Sequence, residues 1–365
     1  MTERRLPAKK KKRQIAHILV MMTLVLGLSG CALPFGEDEP DHTQQGYDAL
    51  EMLDYEQAKS QFEAALAANE KMQPAYRGLG MAYLGLSDYE KAISAFEAAL
   101  RQSKGSVKKM EYDISYYLAV AEFKNGDIDG AYQTYSAIIG MNEKDAMAHY
   151  LRGKVLLKKG DLENAMFDFD EAVKLAPNDY DMYIRMYEDL EACGHPEEAS
   201  IYITRAMDNN EKMNEYQLGV FHYYLGAYED ARNYLEKSRT GKNDKQNGEK
   251  LVMYLGKTYE ALGDLNYAIS LYQTYLDKNP TSAAAYVQLG LSKMKQQDYQ
   301  GALSAFEGGI AINDANYMQS LLFNQVVAYE YMNEFKKASV SMEEYLKMYP
   351  DDETARREYE FLKTR

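Results

Sequence analysis

A phrase of thirteen residues recurs in this chain at a fixed offset. Residues 54–66 (DYEQAKSQFEAAL) are echoed 34 residues later by residues 88–100 (DYEKAISAFEAAL). Aligning the phrase along the rest of the chain places its first alanine nine times, at Ala58, Ala92, Ala131, Ala165, Ala199, Ala231, Ala268, Ala302 and Ala338. A period of this length is the signature of a repeat architecture, in which one small unit is stacked many times.

The end of each copy is predicted to form a helix. Four residues before the alanine stands an aspartate, whose short carboxylate can accept hydrogen bonds from the free amides that open a helix. It occurs in six copies, as Asp54, Asp88, Asp127, Asp161, Asp264 and Asp298. Four residues after the alanine stands a large ring, which shares the helix face of the alanine. This ring is Phe62, Phe96, Tyr135, Phe169, Tyr272 or Phe306.

A second helix is predicted in the first half of each copy. Twelve residues before the alanine stands a residue without a large side chain, which would let two helices approach closely. It is Gly46, Gly80, Ala119, Gly153, Gly219, Gly256 or Gly290. Proline then ends the later helix at Pro177, Pro280 and Pro350, because it lacks an amide hydrogen and restrains the residue before it.

A helix-turn-helix with these small, aromatic and proline positions resembles the tetratricopeptide repeat (TPR) over roughly residues 42–350. The resemblance implies an all-α, right-handed α-solenoid of about nine TPR repeats. The fifth, sixth and ninth copies depart most from the pattern: Tyr187 and Val326 fill the small position, and His195 replaces a capping aspartate. Residues 351–365 are expected to form a C-terminal capping helix, because a stack needs its last apolar face covered by an element with a polar outer side.

The N-terminal residues have the order of a secretory signal. A basic segment, residues 1–14, precedes an apolar run of 14 residues at 15–28, which is short for a transmembrane helix. Leu28-Ser29-Gly30-Cys31 then resembles the bacterial lipoprotein box, so residues 1–30 are interpreted as a lipoprotein signal peptide and Cys31 as the lipidated residue. The alternative is an uncleaved signal anchor, which would also place the repeats outside the cytoplasm.

The remaining boundaries follow the repeat. Residues 31–41 hold the lipidated cysteine and a short acidic linker, 42–238 hold repeats 1–6, and 251–350 hold repeats 7–9. Between them, residues 239–250 form a basic loop that is either simply solvated, a hinge, or a docking site for an acidic group.

The charge and the residue inventory exclude several classes of function. The formal charge is −14, and beyond residue 30 the chain has 35 basic and 55 acidic residues, which disfavours nucleic acid. The histidines beyond the signal, His42, His149, His195 and His222, lie in different copies, and two cysteines support no zinc site. We therefore predict no enzyme, no metal and no cofactor.

A protein-binding groove is the expected functional surface. In TPR arrays the first helices line the concave side, and the resemblance assigns to that groove the residues three before, one after and four after the small position. The candidate residues are Tyr116, Val120, Phe123, Tyr150, Lys154, Leu157, Tyr216, Val220, Tyr223, Met253, Val287, Leu291, Phe323 and Val327. Many are apolar or aromatic, which is typical of a binding strip. The alternative is that packing against neighbouring helices buries them.

The sequence thus predicts a membrane-tethered, extracytoplasmic scaffold for protein segments of apolar or basic character, in assembly or maintenance of a cell-envelope complex. The alternative is a receptor that captures a secreted peptide or a cell-wall fragment. The oligomeric state does not follow from the sequence.

Overall fold

The computed structural model describes residues 41–103, 109–241 and 248–365. These residues form nineteen α-helices and no strand, and they divide into two compact units, residues 41–176 (unit 1) and 177–365 (unit 2). The predicted signal peptide, Cys31 and nearly all of the predicted acidic linker lie outside the described residues. Among the described helices, none is both long enough and apolar enough to span a membrane.

Unit 1 contains four helix pairs, α1 (His42–Glu51) and α2 (Tyr55–Ala67), α3 (Met72–Gly85) and α4 (Tyr89–Arg101), α5 (Lys109–Lys124) and α6 (Ile128–Met141), and α7 (Ala146–Lys159) and α8 (Leu162–Leu175). Unit 2 contains five, α9 (Tyr180–Ala192) and α10 (Pro196–Met207), α11 (Glu215–Tyr224) and α12 (Tyr228–Thr240), α13 (Gly248–Ala261) and α14 (Leu265–Leu276), α15 (Ala283–Lys295) and α16 (Tyr299–Ile312), and α17 (Ala315–Tyr331) and α18 (Phe335–Met348). A last helix, α19 (Glu353–Leu362), follows them, and residues Asn210–Lys212 form one 3₁₀ turn. The all-α solenoid fold and its nine helix pairs are confirmed.

The predicted aspartate caps are confirmed in all six copies. Each side chain accepts a hydrogen bond from the backbone amide three residues later; Asp54 accepts one from Gln57, and Asp298 accepts one from Gly301. The second helices α10, α12 and α18 begin after His195, Ala227 and Glu334, and these three side chains make no capping bond. They belong to the three copies that depart most from the repeat.

A glycine packed against a large side chain holds each of six helix pairs together. The pairs are Gly46–Phe62, Gly80–Phe96, Gly153–Phe169, Gly219–Leu235, Gly256–Tyr272 and Gly290–Phe306. A Cβ added to any of these glycines would lie only 2.2–2.6 Å from the nearest atom of its partner, and every partner is fully buried. In the ninth pair Val326 replaces the glycine, and the flexible Met342 replaces the ring in the same buried cluster.

The turn between the two helices of each pair has a common backbone conformation. The residue before the N-cap of the second helix has a positive φ in all nine described pairs. Five of these residues are glycines, for which φ is 72–86°, and four are Leu53, Ser87, Gln297 and Asn333, for which it is 59–64°. A side chain is disfavoured in this left-handed region, so the four carry a conformational cost.

The cores continue within each unit. In unit 2, Val220 and Leu235 share one buried cluster with Leu251 and Leu255, so the helices on either side of the basic loop pack together. Residues 242–247 of that loop lie outside the described part of the chain, and its role as a hinge stays a prediction. The capping helix α19 buries Ala355 and Leu362 and exposes Arg356 and Arg357, as expected for a cap.

Gly153→Ala and Gly140→Ala are expected to have opposite effects on stability. The Cβ at position 153 would overlap the Phe169 ring, so the free energy of unfolding should fall by about 1–3 kcal/mol. Gly140 is exposed inside α6 with nothing within 4 Å, so alanine there should raise it by about 0.5–1 kcal/mol. Urea unfolding followed by circular dichroism measures both, and equal effects would contradict the packing role of Gly153.

The turn conformation gives a second matched pair. Gln297→Gly relieves the left-handed strain of an exposed side chain and should raise the free energy of unfolding by about 0.5–1 kcal/mol. Gly263→Ala introduces the same strain at the equivalent turn and should lower it by about 1 kcal/mol. Thermal unfolding of the two variants tests this, and stabilisation by Gly263→Ala would refute it.

Candidate functional site

The predicted groove residues lie on the first helix of each pair, and we call the side of each unit formed by these helices its first-helix face. Five of the fourteen are buried: Tyr150, Leu157, Tyr216, Val220 and Val287. The other nine keep part of the side chain exposed: Tyr116, Val120, Phe123, Lys154, Tyr223, Met253, Leu291, Phe323 and Val327. The buried residues pack within the repeats; Tyr150, for example, stacks on Phe169 at 5.9 Å between ring centroids. The role of the set in binding stays a prediction.

On the first-helix face of unit 1, a cationic side chain of the protein itself occupies the faces of two aromatic rings. The Arg77 guanidinium of α3 lies over the rings of Tyr47 and Tyr117, 5.8 and 5.3 Å from their centroids. Its Nε donates a hydrogen bond of 2.5 Å to the carboxylate of Asp113. The aromatic faces and the carboxylate of this cluster are therefore satisfied by the chain itself.

Two tyrosines on α5 converge on the cap of α7. The hydroxyls of Tyr112 and Tyr116 both donate to Oδ2 of Asp145, the second across 2.6 Å, while Oδ1 of Asp145 accepts from the backbone of Met147 and Ala148. Burial raises the pKa of Tyr116, so its hydroxyl stays protonated and remains a donor. This arrangement fixes successive repeats to each other.

A buried ion pair joins α7 to α8. Arg152 donates from Nε and Nη2 to the two oxygens of Asp168, each across 2.7 Å, and Asp168 is only 1% exposed. His149 Nδ1 lies 3.3 Å from the same carboxylate, and its Nε2 lies 3.2 Å from the carbonyl oxygen of Glu143. Every member of the cluster is paired, so the buried charges are compensated where the two helices pack. In the described part of the chain, no three His, Cys, Asp or Glu side chains are grouped to hold a metal ion.

A group of five tyrosines, four of them partly exposed and one buried, lies on the first-helix face of unit 2. We call Tyr187 of α9, Tyr216, Tyr223 and Tyr224 of α11, and Tyr254 of α13 the tyrosine cluster. Ring centroids are 4.6 Å apart for Tyr187 and Tyr224, 5.8 Å for Tyr223 and Tyr254, and 6.3 Å for Tyr216 and Tyr254. The hydroxyls of Tyr224 and Tyr254 are hydrogen-bonded across 2.8 Å. Three consecutive repeats therefore contribute to one aromatic surface.

Carboxylates surround the tyrosine cluster. Tyr224 donates to Glu188 across 2.7 Å, and Tyr187 donates to Glu191 across 3.4 Å. Burial raises the pKa of Tyr224 and Tyr254, and the neighbouring charges of Glu188 and Asp181 add to the effect at Tyr254. The hydroxyls are therefore neutral donors at physiological pH, and the negative charge belongs to the carboxylates.

Sequence reasoning finds Tyr216 and Tyr223 but misses Tyr187, Tyr224 and Tyr254 as site residues. The groove prediction used fixed offsets from the small position, and these offsets pick out the residues along a single face of each first helix. The tyrosine cluster instead combines residues from neighbouring faces of three helices. In the sequence, Tyr187 stands out only as a departure from the small position. The large residue at this small position is the one sequence signal that could have indicated Tyr187 as a site residue. In the structure its ring packs against Tyr224 instead of between the two helices of its own pair.

Two buried carboxyls also lie on first helices. Glu122 of α5 and Glu330 of α17 each have one carboxyl oxygen that is buried without a hydrogen-bond partner among the described residues. Burial raises the pKa of both to about 7. Each carboxyl is therefore a site where ionisation opposes folding.

Comparison with known proteins identifies the family. A family model described as the tetratricopeptide repeat matches residues 43–107, 78–143, 116–180 and 255–317, which together make up more than half of the chain. A TPR repeat-containing protein of Methanocaldococcus jannaschii is 26% identical over 246 residues, which span 62% of this chain and 41% of that protein. This chain belongs to the tetratricopeptide repeat family, whose repeats typically serve as non-catalytic scaffolds for protein interaction.

Two solved structures also align with this chain. A tetratricopeptide repeat protein from Parabacteroides merdae aligns with a TM-score of 0.47 at 14% identity, covering 70% of this chain and 99% of that one. The structure of MamA aligns with a TM-score of 0.39 at 21% identity, covering 46% of this chain and 95% of that one. The family model matches none of residues 181–254, which hold all five residues of the tyrosine cluster.

Glu122→Gln is expected to change the pH dependence of stability. Below pH 4.5 the Glu122 carboxyl is protonated in both the folded and the unfolded protein. As the pH rises from 4.5 toward 7, the carboxyl ionises first in the unfolded protein, which lowers the free energy of unfolding. Above pH 7 the carboxyl is ionised in both states, and this loss of stability is complete. The glutamine variant should therefore be more stable by about 1 kcal/mol above pH 7 and nearly unchanged below pH 4.5. Urea unfolding across this range measures it. The exposed change Glu51→Gln on α1 serves as the reference for removal of one carboxylate. A gain for Glu122→Gln confined to acid would contradict the assignment.

Proposed function

We propose that this protein is an extracytoplasmic scaffold, tethered to a bacterial membrane through lipid on Cys31, that binds protein partners in assembly or maintenance of a cell-envelope complex. The observation that carries the proposal is the combination of nine TPR repeats with the lipoprotein box directly after a basic and an apolar segment. Acyl chains contribute about 0.8 kcal/mol per buried methylene, so several chains on one cysteine give a durable tether.

The partner surface in this proposal is the first-helix face of each unit. In unit 1 the partly exposed residues Tyr116, Val120 and Phe123 follow one another on α5, and in unit 2 the tyrosine cluster spans α9, α11 and α13. Rigid aromatic side chains bury a large area at a small cost in conformational entropy, which makes them typical anchors of protein interfaces. These properties favour a protein segment as the ligand.

The lipid anchor is tested by replacing each cysteine in turn. Cys31→Ala should abolish incorporation of an alkyne-tagged fatty acid and release the protein from the membrane fraction. Cys193→Ala removes an exposed thiol at the end of α9 and should leave labelling and fractionation unchanged. A wild-type protein that is membrane-bound but unlabelled would instead identify a signal anchor.

The partner surface is tested by crosslinking in intact cells followed by purification. Replacing both Tyr187 and Tyr223 by serine should reduce recovery of specific partners at least about tenfold, because both rings are partly exposed anchors on the same face. Phe167→Ser, on the second helix α8 and 62% exposed in the native chain, should leave recovery unchanged.

One outcome would contradict the proposed partner surface, and another would contradict the scaffold proposal itself. Equal recovery from the double variant and the wild type would exclude the tyrosine cluster as the partner surface. Recovery of a small peptide or wall fragment without any protein would favour the capture receptor. Circular dichroism of both variants excludes a general loss of folding.

A further inference from the structure

The tyrosine cluster presents aromatic rings together with carboxylates that form no ion pair with any cation in the described part of the chain. Asp181, Glu188 and Glu191 are exposed, and in the described part of the chain no lysine, arginine or histidine forms an ion pair with any of them. The fourth nearby carboxylate, Glu260, is already satisfied by Ser292, Tyr272 and Lys295. The surface therefore carries a local excess of negative charge.

This combination has the physical requirements of a cation site. An aromatic ring carries negative charge on its face and attracts an ammonium or guanidinium group within about 6 Å of its centroid. The protein contains one such contact in this cluster, because Lys257 Nζ lies 5.9 Å from the centroid of the Tyr254 ring. In unit 1, the rings of Tyr47 and Tyr117 enclose Arg77 with Asp113 beside it. In unit 2, Arg365 lies over the rings of Phe335 and Phe361, away from the tyrosine cluster, whose described ring contact is with Lys257.

The charges also discriminate among possible partners. An acidic segment would bring like charges against Glu188 and Glu191, which costs affinity. A purely apolar segment would cover these carboxylates without pairing them, which carries a desolvation penalty. A basic segment satisfies both the rings and the carboxylates, and the surplus of 20 acidic residues beyond residue 30 would attract it over a longer range.

We propose that the tyrosine cluster, with Glu188 and Glu191, binds an arginine- or lysine-bearing segment of the partner protein, whose cationic side chain lies over the tyrosine rings and pairs with these carboxylates. The inference rests on the proposed function, since it specifies the chemistry of the protein segment that the scaffold binds. The Tyr224 hydroxyl donates a hydrogen bond to Glu188, which keeps this carboxylate beside the rings. One cationic side chain could therefore contact both the rings and the carboxylate.

The first test selects ligands from random sequences. A displayed library of random dodecapeptides is enriched on the purified protein, and the recovered peptides are sequenced. Arginine and lysine should be enriched at least about threefold over the input library, and the double variant Glu188→Gln, Glu191→Gln should abolish that enrichment. Enrichment that is absent, or that persists in the double variant, overturns the proposal.

The second test measures affinity with the best selected peptide and a copy in which each arginine is replaced by its neutral isostere citrulline. The double glutamine variant should bind the arginine peptide about five- to tenfold more weakly and with less sensitivity to salt, because it has lost two charges. Tyr254→Phe keeps the ring and should retain binding, whereas Tyr254→Leu should weaken it about threefold. The control Glu343→Gln, an exposed change on α18, should have no effect.

The outcomes separate this inference from the function on which it rests. Equal affinity for the arginine and citrulline peptides overturns the cation site, while recovery of partners by crosslinking would still support the scaffold. Absence of any crosslinked protein contradicts the scaffold whatever the peptides show. Glutamine at two exposed positions is isosteric with the native residues, so unchanged thermal unfolding is expected and confirms that binding alone was altered.

Discussion

In six of the nine described helix pairs, a glycine of the first helix contacts a fully buried large side chain of the second, and this contact sets how closely the two helices pack. It fixes the distance between the two helices in six pairs, because a single added Cβ would overlap the ring or branched side chain. The aspartate cap then fixes where the second helix begins, and the left-handed turn residue fixes the reversal of the chain. Repetition of these three features leaves the remaining first-helix residues to differ from copy to copy.

Much of this fold could be predicted because its determinants are local. Asp88, Phe96 and Gly80 act at fixed separations within one repeat, so the period of the sequence reveals their roles. The left-handed turn could not be predicted in the same way, since Leu53, Ser87 and Gln297 occupy it as well as glycine. These residues adopt the left-handed conformation because the helices on both sides impose it. The backbone preferences of leucine and glutamine do not indicate this conformation.

The candidate site was less predictable because it depends on how successive repeats meet. The offsets inherited from the repeat placed Val220 and Val287 in a binding groove, but both are buried where neighbouring first helices pack. Conversely, Tyr187 and Tyr254 come together with Tyr224 only through contacts between three repeats. Two of the three repeats that form the cluster, the fifth and the sixth, are among those that depart most from the repeat pattern. Functional sites are where a sequence is expected to depart from the residues that the local structure favours.

Crosslinking in cells from single positions shows whether partners bind on the first helices. A photoreactive phenylalanine analogue placed at Tyr223, on the first-helix face of unit 2, is compared with the same analogue at Val340, which is 54% exposed on the second helix α18. Position 223 is expected to form an adduct with a discrete protein partner, and position 340 is expected to form none. An adduct at position 340 without one at position 223 would contradict it.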